Sequence, residues 1–588
     1  MLFSVIGRYI DILNRFDSHE GGCLTLLVWR QTMSIENSFP PSGVTLPLGR
    51  ARGPAYWLGQ GVRNLGTLSS LAVGLLALLW FALTLGVYPL LIPDEGRYVG
   101  VALSMLESGD YLVPRLDGLP FFHKPPLHYW LTALSLKVLG VNFVGARLVP
   151  ALMAALLIAG MHAFLKRHAS QQHAAWTALV LLSSPLLFGA SHYANLDMTV
   201  AALISSCVLL GGHAALQMEQ GRAYRWALMG LYATAGLAFL AKGLIGILIP
   251  GGILVFWLLG RGQWRTLLRL FSLTGLAVLL LVATPWMWVM QARYPGFFDY
   301  YIVYQHFQRF LETGFNNPQP FWFYFALMPV ATLGWTPFLF KRLRGSVNSP
   351  DGLGPVRGLM LSALLTVLVF FSIPTSKLVG YILPAIGPWA FFLADGVIRR
   401  SQRDGAAKVE RFAVWSLAVC VAICAVAVGA MILRPQANSQ ALGRVLASEY
   451  QQGDRVVFLN TYRYDLGFYV PGLQNINVME RWDDPEIMRT DSWRKELLEA
   501  ARFEPQRGAM TLIDRETLRQ QLCRDSKAVV WLIGSPDAVR QSQVLNHAQR
   551  LYDDQRIALW RFDRDEFALM CGETPKAAQP ETSAQPSR

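Results

Sequence analysis

Charge is scarce in this chain. Only 15% of its 588 residues are Asp, Glu, Lys or Arg, against about 25% in an ordinary soluble domain. Cysteine is scarce too. The six present (Cys23, Cys207, Cys420, Cys424, Cys523 and Cys571) are too few for a disulfide scaffold and lack zinc-finger spacing. No Walker, Rossmann, zinc-protease or Ser-elbow pattern stands at a plausible location, which leaves ATP hydrolysis, nicotinamide redox and metalloprotease chemistry little support. No convincing signal-peptide pattern and no internal repeat is visible. Length alone would allow three or four soluble domains. A hydrophobic content of 53% and a mean hydropathy of +0.32 exclude that reading for most of the chain.

What the chain has instead is apolar runs of membrane-spanning length. Eleven are read, at 69–93, 145–165, 173–190, 194–217, 226–241, 243–260, 267–289, 320–340, 357–374, 378–397 and 411–434. A further run, 126–143, contains Lys137 and opens on Pro125-Pro126. With the N-terminus in the cytoplasm and this run left out of the count, the cytoplasmic loops carry sixteen Lys and Arg and the opposite loops eight. Counting it as a span would invert every later loop and break the positive-inside rule. The run is therefore expected to be an amphipathic helix on the outer surface. Broken helices, for instance around Pro384–Pro388, would raise the total to thirteen without changing parity. The net charge of +13 is first a topology signal, and nucleic-acid binding is not expected.

The spans divide the chain. Residues 1–65 are polar, with Pro40-Pro41 and a basic Arg50–Arg52 stretch, and read as a disordered cytoplasmic leader in which Met33 is an alternative start. Residues 66–434 form the transmembrane domain, with outer juxtamembrane helices at 94–143. Residues 435–575 return to soluble hydropathy. Strands are expected at 455–459 and 528–533 and helices at 486–502 and 515–522, giving a small α/β domain that the odd span count places outside. Cys523 and Cys571 both fall in it, as a disulfide or as two thiols. Residues 576–588 read as a disordered tail.

Cations on the outer face run against the orientation rule and call for an explanation. The first outer loop carries Asp94, Glu95, Arg97 and Tyr98, then Phe121-Phe122-His123-Lys124-Pro125-Pro126. A carboxylate at this depth can orient a sugar, act as a base or bind a metal; it can also be a helix-end charge paired with Arg97. The prolines keep Lys124 out of regular helix, where its ammonium suits a lipid phosphate or ordinary headgroups. Asp197 opens a span on the same side, as a site carboxylate or an N-cap. Arg309 has a fork suited to phosphate, with His306 three residues before it. Lys377 and Tyr381 stand at the fourth outer turn, and Lys242 at a span end. Four turns that place cations where cations are rare suggest a membrane-level site for anionic substrates.

These spaced motifs carry a resemblance. Asp94-Glu95-Gly96-Arg97-Tyr98, Ser108-Gly109-Asp110, Phe122-His123-Lys124-Pro125-Pro126, Tyr193–Asp197, Gln305–Phe310 and Ser376-Lys377-Leu378 through Pro384 resemble the polyprenyl-phosphate-dependent membrane glycosyltransferases of the GT-C class. Within the protein O-mannosyltransferase-like superfamily they look most like the bacterial 4-amino-4-deoxy-L-arabinose lipid A transferases. The resemblance covers roughly 69–575. It implies a helical polytopic fold of eleven to thirteen spans with a periplasmic α/β C-terminal domain. The implied setting is the bacterial inner membrane, with the active site facing the periplasm. The implied reaction moves a sugar from undecaprenyl phosphate to lipid A. Asp94 is then the principal catalytic carboxylate, with Asp197 and Glu95 beside it. Lys124, Arg309, Arg97 and Tyr381 form the carrier-phosphate site, with Lys377 and Lys242 as further cations. Two positions depart from the family: Gly96 replaces the usual Thr, and His123 a Glu of metal-ligand type. A zinc site on His123 and His306 is therefore in question, and no cofactor is required. A hexosamine donor, a protein or other glycan acceptor, and a carrier-lipid transporter or binding protein are the competing readings.

Overall fold

The computed structural model describes residues 53–308, 317–339, 352–433, 438–524, 529–537 and 548–562. In hydrocarbon every backbone N–H and C=O needs an internal partner, so the apolar runs fold as helices. In chain order these are α1 (Pro54–Thr67), α2 (Ser70–Ala82), α3 (Asp94–Ser108), α4 (Leu127–Leu139), α5 (Phe143–His168), α6 (Gln171–Ser183), α7 (Pro185–Ser191), α8 (Asp197–Glu219), α9 (Arg225–Lys242), α10 (Ile245–Gly260), α11 (Trp264–Leu270), α12 (Leu273–Arg293), α13 (Phe323–Ala331), α14 (Gly354–Ser372), α15 (Ile386–Asp404) and α16 (Ala406–Leu433). A short hairpin, β1 (Arg115–Leu116) with β2 (Leu119–Pro120), links α3 to α4, a π-helical segment covers Asp299–Gln308, and a 3-10 turn, Val379–Ala385, leads into α15.

All eleven apolar runs contain helix. Among the described residues six helical units are long and apolar enough to cross a membrane: α5, α8, α12, α14, Val379–Asp404 and α16. The α6–α7 pair, bent by 64°, makes a seventh. The remaining runs fall short for local reasons. Ser184 ends α6 and Pro185 starts α7. The first run stops being helical at Ala82, ahead of the turn that holds Pro93. α9 carries Arg225 and Lys242 at its two ends.

One expectation needs correction. The leader was expected to stay unstructured to residue 65, yet α1 occupies Pro54–Thr67 and buries Leu58 and Val62 against α6 and α16; residues 1–52 lie outside the described set. The run at 126–143 is helical over only the 13 residues Leu127–Leu139, too short to span. Its buried face mixes His128, Tyr129, Thr132 and Ser135 with Ala133 and Leu136, while Leu134 and Val138 are 57% and 72% exposed.

Past α16 the chain builds a mixed sheet of β3 (Arg455–Leu459), β4 (Ile476–Met479), β5 (Leu512–Ile513), β6 (Val530–Gly534), β7 (Gln549–Asp553) and β8 (Ala558–Phe562), in the order β5-β4-β3-β6-β8-β7. The β5–β4–β3–β6 ladder is parallel, and β8 and β7 add antiparallel. The accompanying helices are α17 (Gln440–Glu449), α18 (Leu466–Tyr469), α19 (Trp493–Ala501), α20 (Pro505–Thr511) and α21 (Arg515–Arg524). A parallel strand is buried on both faces and reads as a near-continuous apolar run, as Val456, Val457, Phe458 and Leu459 do. Val457 and Leu459 pack within the domain against Leu532 and Trp560. Val456 and Phe458 join one core with Val99, Ala102 and Tyr129 of α3 and α4. The sheet thus backs directly onto the helices that carry the first outer loop. Cys523 is disulfide-bonded.

Candidate active site

α3 begins at Asp94, and acidic residues in a first turn complement the helix dipole. Helical spacing then sorts the motif. Asp94, Arg97 and Tyr98 share one face, and Glu95 leaves from another. The side chain of Asp94 is 37% exposed, accepts a hydrogen bond from Tyr193 Oη at 3.1 Å, and stands 3.4 Å from Arg97 Nη2. It is the open carboxylate of the pair.

Glu95 is not. It is fully buried and its two oxygens take Arg147 Nε and Nη2 at 2.7 Å each. They also accept the amides of Leu91 and Ala194, both at 2.7 Å. Arg147 spends its other donors on the carbonyls of Leu85, Tyr88 and Pro89. Reading Glu95 as catalytic is therefore corrected: its acceptor capacity is filled by groups that staple α3, α5 and the 193–196 turn together.

The second carboxylate, Asp197, opens α8 without capping it. Its Oδ1 meets Lys242 Nζ at 2.5 Å and its Oδ2 lies 3.4 Å from Asn195 Nδ2. The Lys242 ammonium in turn lies 4.3 Å from the centroid of the Tyr381 ring, a cation–π contact. Gly380 permits this approach, since a Cβ there would fall 2.2 Å from Asp197 Oδ2. Burial, and then the charges of Asp94 and Asp197 among others, raise the hydroxyl pKa of both Tyr98 and Tyr193. Geometry joins the two carboxylates: Tyr193 donates to Asp94, and the Tyr98 ring packs on His128, which bonds Thr199 two residues after Asp197. Tyr98 and Tyr193 stood in the sequence motifs but were not singled out; an aromatic at a helix start carries no signal of its own.

The remaining candidates separate. Lys377 is buried and donates to the carbonyls of Gln319 and Pro374 at 2.9 and 2.5 Å. It is corrected from phosphate ligand to a clamp that ties its own turn to the segment before α13. Lys124 is half-buried in the turn before α4. Arg309 lies outside the described residues, as does the His306 side chain. Arg97 is drawn away from the site: Nη1 bonds Glu496 Oε1 at 2.7 Å, and the guanidinium lies 5.0 Å from the Tyr464 ring centroid. Burial disfavours the Arg97 charge, but Glu496, Tyr464, Tyr98 and Asp94 together outweigh it and the pKa is raised. His123 stacks on Phe121 and stands 3.6 Å from Glu499 Oε2. Glu499 also accepts from Tyr300 and Tyr304 at 2.8 and 3.1 Å. Among the described residues no group of three or more His, Cys, Asp or Glu could hold a metal ion. Glu496, Glu499 and Tyr464 were not found from sequence. Glu496 lies 399 positions from Arg97 and Glu499 lies 199 and 195 from its tyrosines, and nothing local marks them.

Residues 123–288 match the model of a family described as dolichyl-phosphate-mannose-protein mannosyltransferase. An undecaprenyl phosphate-alpha-4-amino-4-deoxy-L-arabinose arabinosyl transferase of Pseudomonas aeruginosa (strain LESB58) is 32% identical over 324 residues, 55% of this chain and 58% of its own length. A protein of the same name from Pectobacterium carotovorum subsp. carotovorum (strain PC1) is 28% identical over 364 residues, 60% of this chain and 64% of its own. The matches thus span less than two thirds of these relatives. The crystal structure of ArnT from Cupriavidus metallidurans bound to undecaprenyl phosphate superposes with a TM-score of 0.71 at 22% identity, covering 84% of this chain and 97% of that one. Its apo state gives 0.68 at 21%. The chain shares that helical membrane fold with its C-terminal sheet domain.

Proposed function

We propose that this chain is an integral inner-membrane glycosyltransferase that moves 4-amino-4-deoxy-L-arabinose from undecaprenyl phosphate to a phosphate of lipid A on the periplasmic side. One observation carries the reading: the open carboxylate of Asp94, bonded by Tyr193, starts one helix, and the Asp197–Lys242–Tyr381 cluster starts another that is joined to it through Tyr98, His128 and Thr199. The similarity to arabinosyl transferases supports the substrate class.

The chemistry follows from charge. An acceptor phosphate is already anionic, so the nucleophile needs no strong base. Its oxygen attacks the anomeric carbon as the bond to the carrier phosphate breaks, with inversion. The electron pair leaves on that phosphate, whose growing negative charge needs cations placed in advance; Lys124 and Arg309 are assigned to it. Asp94, oriented by Tyr193, stabilises positive charge on the sugar ring and can take the sugar's amine. Lys242 neutralises Asp197, so the second carboxylate does not repel the incoming phosphates. Among the described residues the surroundings of His123 offer one carboxylate, itself occupied by two tyrosines, and no step is routed through a metal. The transfer as written needs no nucleotide and no redox cofactor.

Mass spectrometry of lipid A from cells with and without the protein, and with Asp94→Ala, tests this. A pentosamine increment that depends on Asp94 is expected. A hexosamine increment would replace the donor, and an unmodified lipid A in a host shown to contain donor lipid would overturn the acceptor. The family match at 123–288 favours protein O-glycosylation as second reading. There a hydroxyl nucleophile does need a base, Asp94 would supply it, and the product would be a glycopeptide.

A further inference from the structure

The contact between the C-terminal domain and the start of α3 is built closely around the candidate catalytic carboxylate. Arg97 lies between two acids and is not shared equally: 2.7 Å from Glu496 of α19 and 3.4 Å from Asp94. Glu496 is itself fixed. It is buried, and its second oxygen accepts from Tyr464 Oη at 2.5 Å, while the Tyr464 ring lies beside the guanidinium. The neighbouring position repeats the closeness independently. A Cβ at Gly96 would stand 2.9 Å from the backbone nitrogen of Asp465 and 3.1 Å from the carbonyl carbon of Tyr464. Asp465 is pinned by the amide and hydroxyl of Ser439 at 2.8 and 2.7 Å. Two further carboxylates hold the same end of the domain in place: Glu499 on Tyr300 and Tyr304, and Glu504 on Arg115 and Tyr294.

We propose that Glu496 is a positioning residue supplied by the C-terminal domain: it holds the Arg97 guanidinium off Asp94 and so keeps the Asp94 carboxylate open to the sugar. The proposal rests on Asp94 being the catalytic carboxylate. Without the Glu496 charge, the one acid left within reach of Arg97 among the described residues is Asp94, three residues away on its own helix face. It closes the 3.4 Å gap and occupies Asp94. The C-terminal domain is then part of the working site, because an intact transmembrane domain alone would carry a self-blocked carboxylate.

The test uses the full-length protein in detergent, with Glu496→Gln to remove the charge at constant shape and Glu496→Asp to keep it. Carbodiimide with an amine labels protonated carboxyls and is read at Asp94 by peptide mass spectrometry, with no substrate needed. A full cationic partner stabilises the ionised form, so labelling of Asp94 in E496Q is expected to fall about ten-fold. In an R97Q background E496Q is expected to change nothing further, since Glu496 acts through Arg97. In transfer assays with undecaprenyl-phosphate-linked aminoarabinose, kcat of E496Q is expected to fall about ten-fold with little change in donor KM, and E496D to recover part of it. Unchanged Asp94 labelling in folded E496Q overturns the proposal, and so does an equal fall in the R97Q background. If E496Q does not fold, Tyr464→Phe removes only the bond to Glu496 and should move labelling the same way by less; no movement overturns the proposal. Wild-type protein that transfers no aminoarabinose while labelling follows the expected pattern sinks the functional reading and supports the positioning role.

Discussion

Replacing Arg147 by Met separates a structural carboxylate from a catalytic one. The Arg147 side chain makes five hydrogen bonds, two to Glu95 and three to the carbonyls of Leu85, Tyr88 and Pro89. Both charged partners are fully buried. Met fills the volume of the stem and none of these bonds. Glu95 keeps only the amides of Leu91 and Ala194, so a buried carboxylate loses its counter-charge, which costs about 3–5 kcal/mol. Glu95→Gln is expected to cost about as much, because it leaves the guanidinium buried without a counter-ion. The double variant should lose clearly less than the sum of the two, since each single change already exposes the partner's penalty. Equilibrium unfolding in mixed micelles measures all three. Asp94→Asn, in contrast, should leave stability within about 0.5 kcal/mol and lower kcat by about 10²-fold or more. The reasoning fails if Glu95→Gln unfolds like wild type and loses transfer as completely as Asp94→Asn.

Asp117 is half-buried and accepts a hydrogen bond from Tyr462, and loss of solvent around it raises its pKa to about 6 from 3.8. A carboxyl raised in the fold contributes its stability below the unfolded value and loses it as pH rises through the folded one. Asp117→Asn should therefore abolish a fall in stability between about pH 4 and 6. It should also leave the protein more stable at pH 7.5, by at most about 3 kcal/mol; the backbone at 117 already has positive φ, which Asn tolerates. Thermal melts across that window decide it. Gly96→Thr, although it restores the residue usual in the resembling family, should destabilise by about 1–3 kcal/mol, because its Cβ meets backbone of the C-terminal domain rather than a movable side chain. Protease nicking of that domain, faster in the variant, reads the loss. Lys242→Met leaves Asp197 charged without its cation and should cut kcat by about 10–100-fold. Loss of donor binding alone, with kcat kept, would instead make Lys242 a phosphate ligand.

Much of the membrane domain was legible because bilayer physics writes itself into composition. Apolar runs and the bias of Lys and Arg between loops located the long apolar helices and kept 126–143 out of the span count. What they could not show was where Ser184-Pro185 bends one run by 64° or that α4 turns apolar residues outward. Both depend on neighbours rather than on local pattern. The site was legible in its residue types and only partly in its roles. Asp94 and Glu95 are adjacent and chemically alike, yet a rotation of about 100° per residue sends one toward Tyr193 and the other into Arg147. Lys377 and Lys124 looked equivalent as outer-face cations until Lys377 was seen held by the carbonyls of Pro374 and of the distant Gln319. Long-range partners left no trace at all. Glu496 sits in a soluble-looking helix that pattern reading assigns to a separate domain, and its relation to Arg97 arises when Val456 and Phe458 bury the sheet against α3. The departures at Gly96 and His123 are the places where sequence hinted at this. Both positions touch the C-terminal domain, Gly96 at Tyr464 and Asp465 and His123 at Glu499, so the substitutions track a contact with that domain. They do not by themselves mark a change of sugar.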